Sequence, residues 1–378
     1  MIKFLAKLVL ITFVNIIYSQ EDSLKKKISF TGDFRFRIEQ DWDSRKSDGT
    51  YRADRTRLRY RLRFGMTYQY NHWADFGLRL RTGLPNKQQD PQLTLGQSPA
   101  EFNTLPIGLE KAYFRVKHQG MTFWLGKNTF PFEKRNEIFW SDNVFPEGIA
   151  FSYKRDFNSS FLEQIKINTG HFIISTQNRS FDLDSYFQGV QLVMKHSNER
   201  LKLYPAFYYF ILIPDIPDGF ESFLMNYKIL HLGSSFMISK SKSLRIYVDY
   251  YKNLDDLKDY NQILPNFQDQ TNGLIIGLKY GQLKYKGDWE FKCTGNYLER
   301  YAAIDFLAQN DWARWDYSNL GSPDGRLTNY KGLEIAAGYA IDKNFNLKMR
   351  YFIVEQILPY GTHKETGQRI RLDLNIGF

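Results

Sequence analysis

Five arginines occupy every other position between 55 and 63: Arg55, Arg57, Arg59, Arg61 and Arg63, interleaved with Thr56, Leu58, Tyr60 and Leu62. A period of two is the side-chain period of a β-strand, so the five guanidiniums share one face and the largely apolar residues share the other. Guanidinium groups stay charged and present a planar fork that matches carboxylate and phosphate. The chemistry on offer is attraction of anions. At about 3.3 Å per residue the ladder covers roughly 26 Å, close to the height of a bilayer's hydrocarbon band. Facing lipid, each mid-height arginine would cost about 2–4 kcal/mol. Five could not be tolerated, so on a membrane-crossing strand this face lines water and the opposite face meets lipid.

Neighbouring segments extend the basic face through Arg35 and Arg37, through Arg79 and Arg81, and through Lys111, Arg115 and Lys117. Asp33, Glu39, Asp75 and Glu110 are close in sequence, so part of this charge is expected to be paired. Complete pairing, with no net field left for a solute, is the alternative.

The elements that must position these residues are strands. Alternating segments are expected at 28–41, 52–70, 73–83, 108–118, 121–129, 147–157, 162–175, 186–197, 200–212, 226–239, 243–253, 271–281, 286–301, 331–341, 344–355 and 368–378. That makes about sixteen, an even count as single-chain bacterial barrels require. Short connections near Asn71, Gln119, Asn158, Asn198, Ser241 and Asp342 alternate with long ones at 42–51, 84–107, 130–146, 176–185, 213–225, 254–270, 302–330 and 356–367. The pattern predicts an all-β fold: a transmembrane antiparallel β-barrel with short periplasmic turns and long outer loops. Residues 302–315 are expected to form a short helix riding on one long loop.

Composition agrees. Mean hydropathy is −0.48, and after the first 20 residues no stretch is long and apolar enough for a membrane helix. A membrane protein of that hydropathy is a barrel, because only half of each strand meets lipid. Aromatic residues make up 17%, with 25 Tyr and 31 Phe, which suits interfacial girdles. Residues 1–19 read as a signal peptide: Lys3 and Lys7, then an apolar run, then Ser19, leaving 20–378 as one barrel domain. Export argues against nucleic acid as the partner for the net charge of +10. An anionic membrane surface or an anion-attracting interior remains.

Catalysis finds no support. Cys293 is alone, and His72, His118, His171, His196, His231 and His363 form no nucleophile or metal-protease motif. Asp255 and Asp256 read as a solvated loop pair or a weak surface calcium site. No cofactor and no metal site is expected.

The run Leu125-Gly126-Lys127-Asn128 leads into an aromatic and acidic loop that returns at Pro146-Glu147-Gly148. With the arginine-rich second strand, the third strand ending Arg81-Thr82-Gly83 and the terminal Phe378, it resembles the putative porin family of Bacteroidetes. The recognisable motifs sit in the first 150 residues, and later strands match only as alternating pattern. The resemblance implies an outer-membrane β-barrel channel. By analogy with general porins, the third outer loop folds inward, so Glu133, Glu137, Asp142 and Glu147 would face the arginine wall across a constriction. Five aromatic residues (Phe130, Phe132, Phe139, Trp140 and Phe145) are too apolar for a wholly exposed loop. Positions 369–378 alternate Arg, Arg, Asp, Asn and Gly with Ile, Leu and Phe. This resembles the terminal strand of outer-membrane barrels, with Phe378 read by the insertion machinery during assembly.

The expectation is a porin: a passive diffusion channel for small hydrophilic solutes, with a lean towards anions. Its partners are outer-membrane lipid, the barrel insertion machinery and those solutes. A homotrimer is left open. The alternative is an accessory barrel of a secretion or assembly complex, its lumen plugged.

Overall fold

The computed structural model describes residues 27–85, 88–96, 102, 104–159, 161–176, 180, 183–196, 200–215, 223–312 and 327–378. The expected leader at 1–19 lies outside them. The fold is a closed barrel of sixteen antiparallel strands. In chain order these are β1 (Ile28–Trp42), β2 (Arg55–Gln69), β3 (Ala74–Thr82), β4 (Ile107–His118), β5 (Met121–Lys127), β6 (Glu147–Asp156), β7 (Leu162–Ser175) and β8 (Ser185–His196). There follow β9 (Leu201–Leu203 continuing as Ala206–Pro214), β10 (Leu224–Ser239), β11 (Leu244–Asn253), β12 (Asn272–Gly281), β13 (Trp289–Leu298), β14 (Tyr330–Asp342), β15 (Phe345–Gln356) and β16 (Thr366–Gly377). Each pairs with its sequence neighbours, and β1 closes the ring by pairing with both β2 and β16. Closure leaves no unpaired edge in the hydrocarbon.

Alternation decides which way each strand faces. On β2, Arg59, Arg61 and Arg63 are buried, whereas Leu58, Leu62 and Phe64 are exposed at 41–43%. Leu80, Leu109, Ile149, Val190, Leu232, Ile276, Ile335 and Ile353 continue the exposed apolar belt on other strands. Near the short turns Tyr280, Trp289, Phe291 and Tyr339 stack beside one another on the outside, with Trp289 and Tyr339 centroids 5.0 Å apart, forming part of an aromatic girdle.

β9 is broken at Tyr204-Pro205. Proline offers no N–H to the ladder, and the Tyr204 ring fills the inner face over Gly233. A Cβ on Gly233 would lie 2.0 Å from that ring, so the close approach requires glycine.

The interior is not uniformly wet. Residues 128–146 fold into the barrel and bring Phe130, Phe132, Ile138, Phe139 and Trp140 against Phe172, Phe187, Tyr208, Phe210 and Tyr251 of β7, β8, β9 and β11. Small residues make room: the Phe132 ring lies over Gly189, where a Cβ would come within 2.4 Å of it. Residues 299–312 also turn inward, burying Tyr301, Ala302, Ala303, Ile304 and Trp312 in the same core. The helix expected at 302–315 is therefore corrected. Two single 3₁₀ turns, Asp305–Leu307 and Asn310–Trp312, pack inside the barrel, and positions 313–315 lie outside the described residues. Inward packing of apolar side chains, not helix periodicity, sets this segment's shape.

The barrel's orientation of faces predicts an asymmetric response to charge. Leu62→Arg, at the centre of β2 on the lipid side, should cost about 2–4 kcal/mol in equilibrium unfolding from lipid vesicles. A cost near zero would place that face in water.

Candidate functional site

A cavity of about 1100 Å³ occupies the long-loop half of the barrel beside the aromatic core, whose Trp140, Phe172 and Phe187 line part of it. Arg55, Arg57, Arg59, Arg61 and Arg63 from β2 line one wall with Arg35 and Arg37 from β1. Barrel closure sets β16 beside β1, so Arg369, Arg371 and Asp373 join the wall, as does Arg350 of β15. Twelve lysines and arginines line the cavity against seven aspartates and glutamates.

Acids sit between the arginines and are shared. Glu39 bonds Arg57 and also Arg371, the latter at 2.6 Å. Asp41 is reached by Arg55 at 2.6 Å and by Arg369 at 2.7 Å. Asp373 takes a two-pronged contact from Arg37 at 2.6 and 2.8 Å. Asp33 accepts from Arg61, and Asp90 accepts from Arg59 at 2.6 Å. One carboxylate serving two guanidiniums suits the fork geometry of arginine and leaves the wall with more positive than negative charge.

The same logic governs the next strands. Glu110, the bulged residue of β4, lies 2.5 Å from Arg79, 3.2 Å from Arg63 and 3.8 Å from Arg81. Arg115 and Lys117 both approach Asp75, at 2.9 and 3.7 Å, towards the short-turn end. Lys111 donates to Thr129 at 2.5 Å and sits over the Phe145 ring, which Arg79 also faces.

Of the four loop acids, Glu137, Asp142 and Glu147 line the cavity with the arginine ladder. Glu133 does not. It turns towards the opposite wall, where Lys202 lies at 2.9 Å and Arg135 at 3.0 Å. Asp142 holds Lys134 at 2.5 Å, and Glu147 holds Lys127 at 2.6 Å. Burial, and then the charge of Asp142, push the Glu137 carboxyl up.

Asp90 and Asp311 escape a reading of the sequence, since each comes from an irregular loop with no periodicity to mark it. Asp311, in the turn Asn310–Trp312, is bonded to Arg371 and, at 2.6 Å, to Arg350. Burial alone would raise this carboxyl, but the guanidiniums of Arg371, Arg350 and Arg37 outweigh it and hold it well below the usual carboxylate range. The inward segments are also tied to each other. Ser141 N–H donates to Leu307 C=O at 2.9 Å, Gln309 N–H to Ile138 C=O at 3.2 Å, and the Gln89 side chain to Phe306 C=O at 2.5 Å. Arg369 and Arg371 were legible in principle, because a barrel must pair its last strand with its first.

His231 contacts Asp249 at 2.9 Å under the ring of Tyr251, and Asp249 accepts from Asn136 at 2.7 Å. This pair anchors the inward loop. No metal-holding cluster of His, Cys, Asp and Glu occurs among the described residues.

A closed barrel with a charged cavity beside inward-folded loops is the architecture of porins, and the comparisons agree. The family model described as Putative porin matches residues 47–219 and 222–378. The chain belongs to this family.

In three dimensions the porin is similar to OprB of Pseudomonas putida, with a TM-score of 0.55, 14% identity, and coverage of 95% of this chain and 96% of that one. It is also similar to a variant of Rh. blastica porin, with a TM-score of 0.51, 15% identity, and coverage of 92% and 100%. At such identities the likeness concerns the fold. A thymidylate synthase of Streptococcus mutans is 39% identical over 79 residues, 16% of this chain and 28% of that enzyme's length. So short a match carries no function. Family and fold together make the protein an outer-membrane β-barrel channel.

Asp311→Asn should release residues 299–312 from the wall. Because the folded carboxyl is held below its unfolded value of about 3.9, its contribution is complete above that pH and is lost only as pH falls through the depressed value. Amide exchange at Ser141 and Gln309 should therefore stay slow from pH 7 to about 4 in the parent porin. In the variant it should rise at every pH. Equal protection in both proteins would show that Asp311 does not hold the loop.

Proposed function

We propose that the porin is a passive diffusion channel for small hydrophilic solutes that favours anions. The observation that carries this reading is the excess of arginine and lysine over carboxylate around the cavity. A charged, water-filled passage with low-dielectric walls focuses its field on whatever enters, which raises the local concentration of counter-ions. Rings of basic side chains are how anion pores are built. Solutes partition into the cavity and move down their gradient, and the reading needs no cofactor.

Glu137, Asp142 and Glu147 line the same cavity as the ladder, which supports a transverse field between them. Such a field orients permeating dipoles and filters by charge. The shared carboxylates reduce the preference to a lean. In this reading residues 1–19 direct export and Phe378 marks the chain for the insertion machinery.

The interlocked inward segments support a second reading, an accessory barrel whose plugged interior carries no current. Planar-bilayer recordings separate the two, since steady single-channel current at constant voltage is expected only from the open channel.

Two outcomes follow. Changing Arg57, Arg59 and Arg61 together to Gln keeps length and polarity but removes three positive charges. It should shift the reversal potential across a tenfold KCl gradient towards cation selectivity, most strongly at low salt, where the Debye length of about 10 Å at 0.1 M is longest. An unchanged reversal potential would put the ladder off the conduction path. Removing Phe378 should lower the amount of folded, heat-modifiable protein in the outer membrane. The lost backbone pairing is only with Gly32, so unchanged levels would refute a role in insertion.

A further inference from the structure

Close ion pairing accounts for nearly all the charge in the large cavity. All but one of the lysines and arginines that line it have a carboxylate oxygen within 3.3 Å among the described residues. All but one of the lining aspartates and glutamates have a lysine or arginine nitrogen equally near. The two exceptions carry opposite charge: Arg35 of β1 and Glu137 of the inward loop.

Arg35 donates from Nε to Asn375 Oδ1 at 2.7 Å. Its ion pair with Asp373 is long, 3.8 Å, because that carboxylate already takes both prongs of Arg37. The terminal nitrogens of Arg35 make no hydrogen bond among the described residues, and its side chain is 26% exposed. Arg61 stands directly opposite it on β2, so an anion that arrives there meets added positive field. Glu137 lines both the large cavity and an adjoining one of about 210 Å³. No hydrogen bond or ion pair reaches its carboxylate among the described residues. The cations around it are engaged: Lys134 by Asp142 at 2.5 Å, and Arg350 by Glu334 and Asp311, each at 2.6 Å. Asp142 and Asp311 act on it as well. The place left open beside Glu137 is therefore one for a cation. Arg350 lies within electrostatic reach of both Arg35 and Glu137. Neither of the two is among the main charges acting on the other, so the gap between them exceeds contact distance.

We propose that the large cavity recognises short peptides with free ends, taking the terminal carboxylate on Arg35 and the terminal ammonium beside Glu137. The proposal rests on the channel reading for its place in transport, but not for the binding itself. A simple anion satisfies Arg35 and is repelled by Glu137, and a simple cation meets the reverse. Only a solute with both charges answers both residues. Its charges must also stand apart, since the two residues are not in contact. An extended tripeptide spans about 10 Å at roughly 3.3–3.6 Å per residue, which a single amino acid cannot do. The guanidinium fork matches a terminal carboxylate. Two ion pairs in a wet passage hold the peptide loosely, as a channel that must release its solute requires.

The probe is trialanine, with its N-acetylated and C-amidated forms. In planar bilayers held in KCl at pH 7, trialanine should interrupt the current of the parent porin. Capping either end should raise the half-blocking concentration about fivefold, the loss expected of one ion pair in nearly aqueous surroundings. Glu137→Gln should weaken block by trialanine to the same extent and leave block by the N-acetylated peptide as it was. Arg35→Gln should do likewise for the C-amidated peptide. Substitutions that weaken all three peptides alike would show a merely structural role and overturn the assignment. Calorimetric titration of the folded, detergent-solubilised barrel with the same peptides gives a readout without transport. The end-by-end pattern there supports the site even if no current is seen, in which case the channel reading alone fails. Normal current with block and binding indifferent to the peptide ends, or with no binding of trialanine at all, overturns the site and leaves the channel intact.

Discussion

Hydrocarbon offers no hydrogen bonds, so every backbone group that crosses it must be satisfied within the chain. For a sequence that alternates apolar and polar residues, a closed sheet is the answer, and closure has chemical consequences here. It places β16 against β1 and thereby sets Arg369, Arg371 and Asp373 next to Arg35, Arg37 and Glu39. The most basic wall of the molecule is assembled from the two ends of the chain. The same requirement turns every second residue inward and obliges the charges to share one interior.

That interior is divided. Against β7 to β11 the inner residues are aromatic and are covered by two inward segments, which together form a core of the kind found in a water-soluble protein. Against β1, β2 and β13 to β16 charged inner residues line a cavity. The division is cooperative. The aromatic core holds the loops, the loops present Glu137, Asp142 and Asp311 to the cavity, and Asp311 ties its segment back to the arginines. Guanidiniums at such density are tolerable because Glu39, Asp41, Glu110, Asp311 and Asp373 each serve more than one of them. Strong local pairing thus coexists with a positive balance.

A hint of the division was present in the chain before folding. The run Ala206-Phe207-Tyr208-Tyr209-Phe210-Ile211-Leu212-Ile213 lacks the polar-inward alternation of a strand with one wet face. A strand apolar on both faces is covered on both faces. Read that way, β9 announces that something apolar fills the barrel beside it, and the five aromatic residues of 130–145 supply it.

Strand positions, the even strand count and the alternation of short and long connections were legible from sequence alone. Each follows from a period of two and from the cost of charge in lipid, which are local properties. The acidic partners Asp33, Glu39, Asp75 and Glu110 were legible for the same reason, being a hairpin away from their arginines. Tertiary structure alone decided that Glu133 turns to Lys202, that residues 299–312 pack inside, and that Asp90 and Asp311 reach the arginine wall. These are loop residues, whose positions depend on distant surfaces and not on any repeat. A loop carboxylate settles where burial, apolar cover and unpaired positive charge coincide, and that place exists only after the barrel has closed.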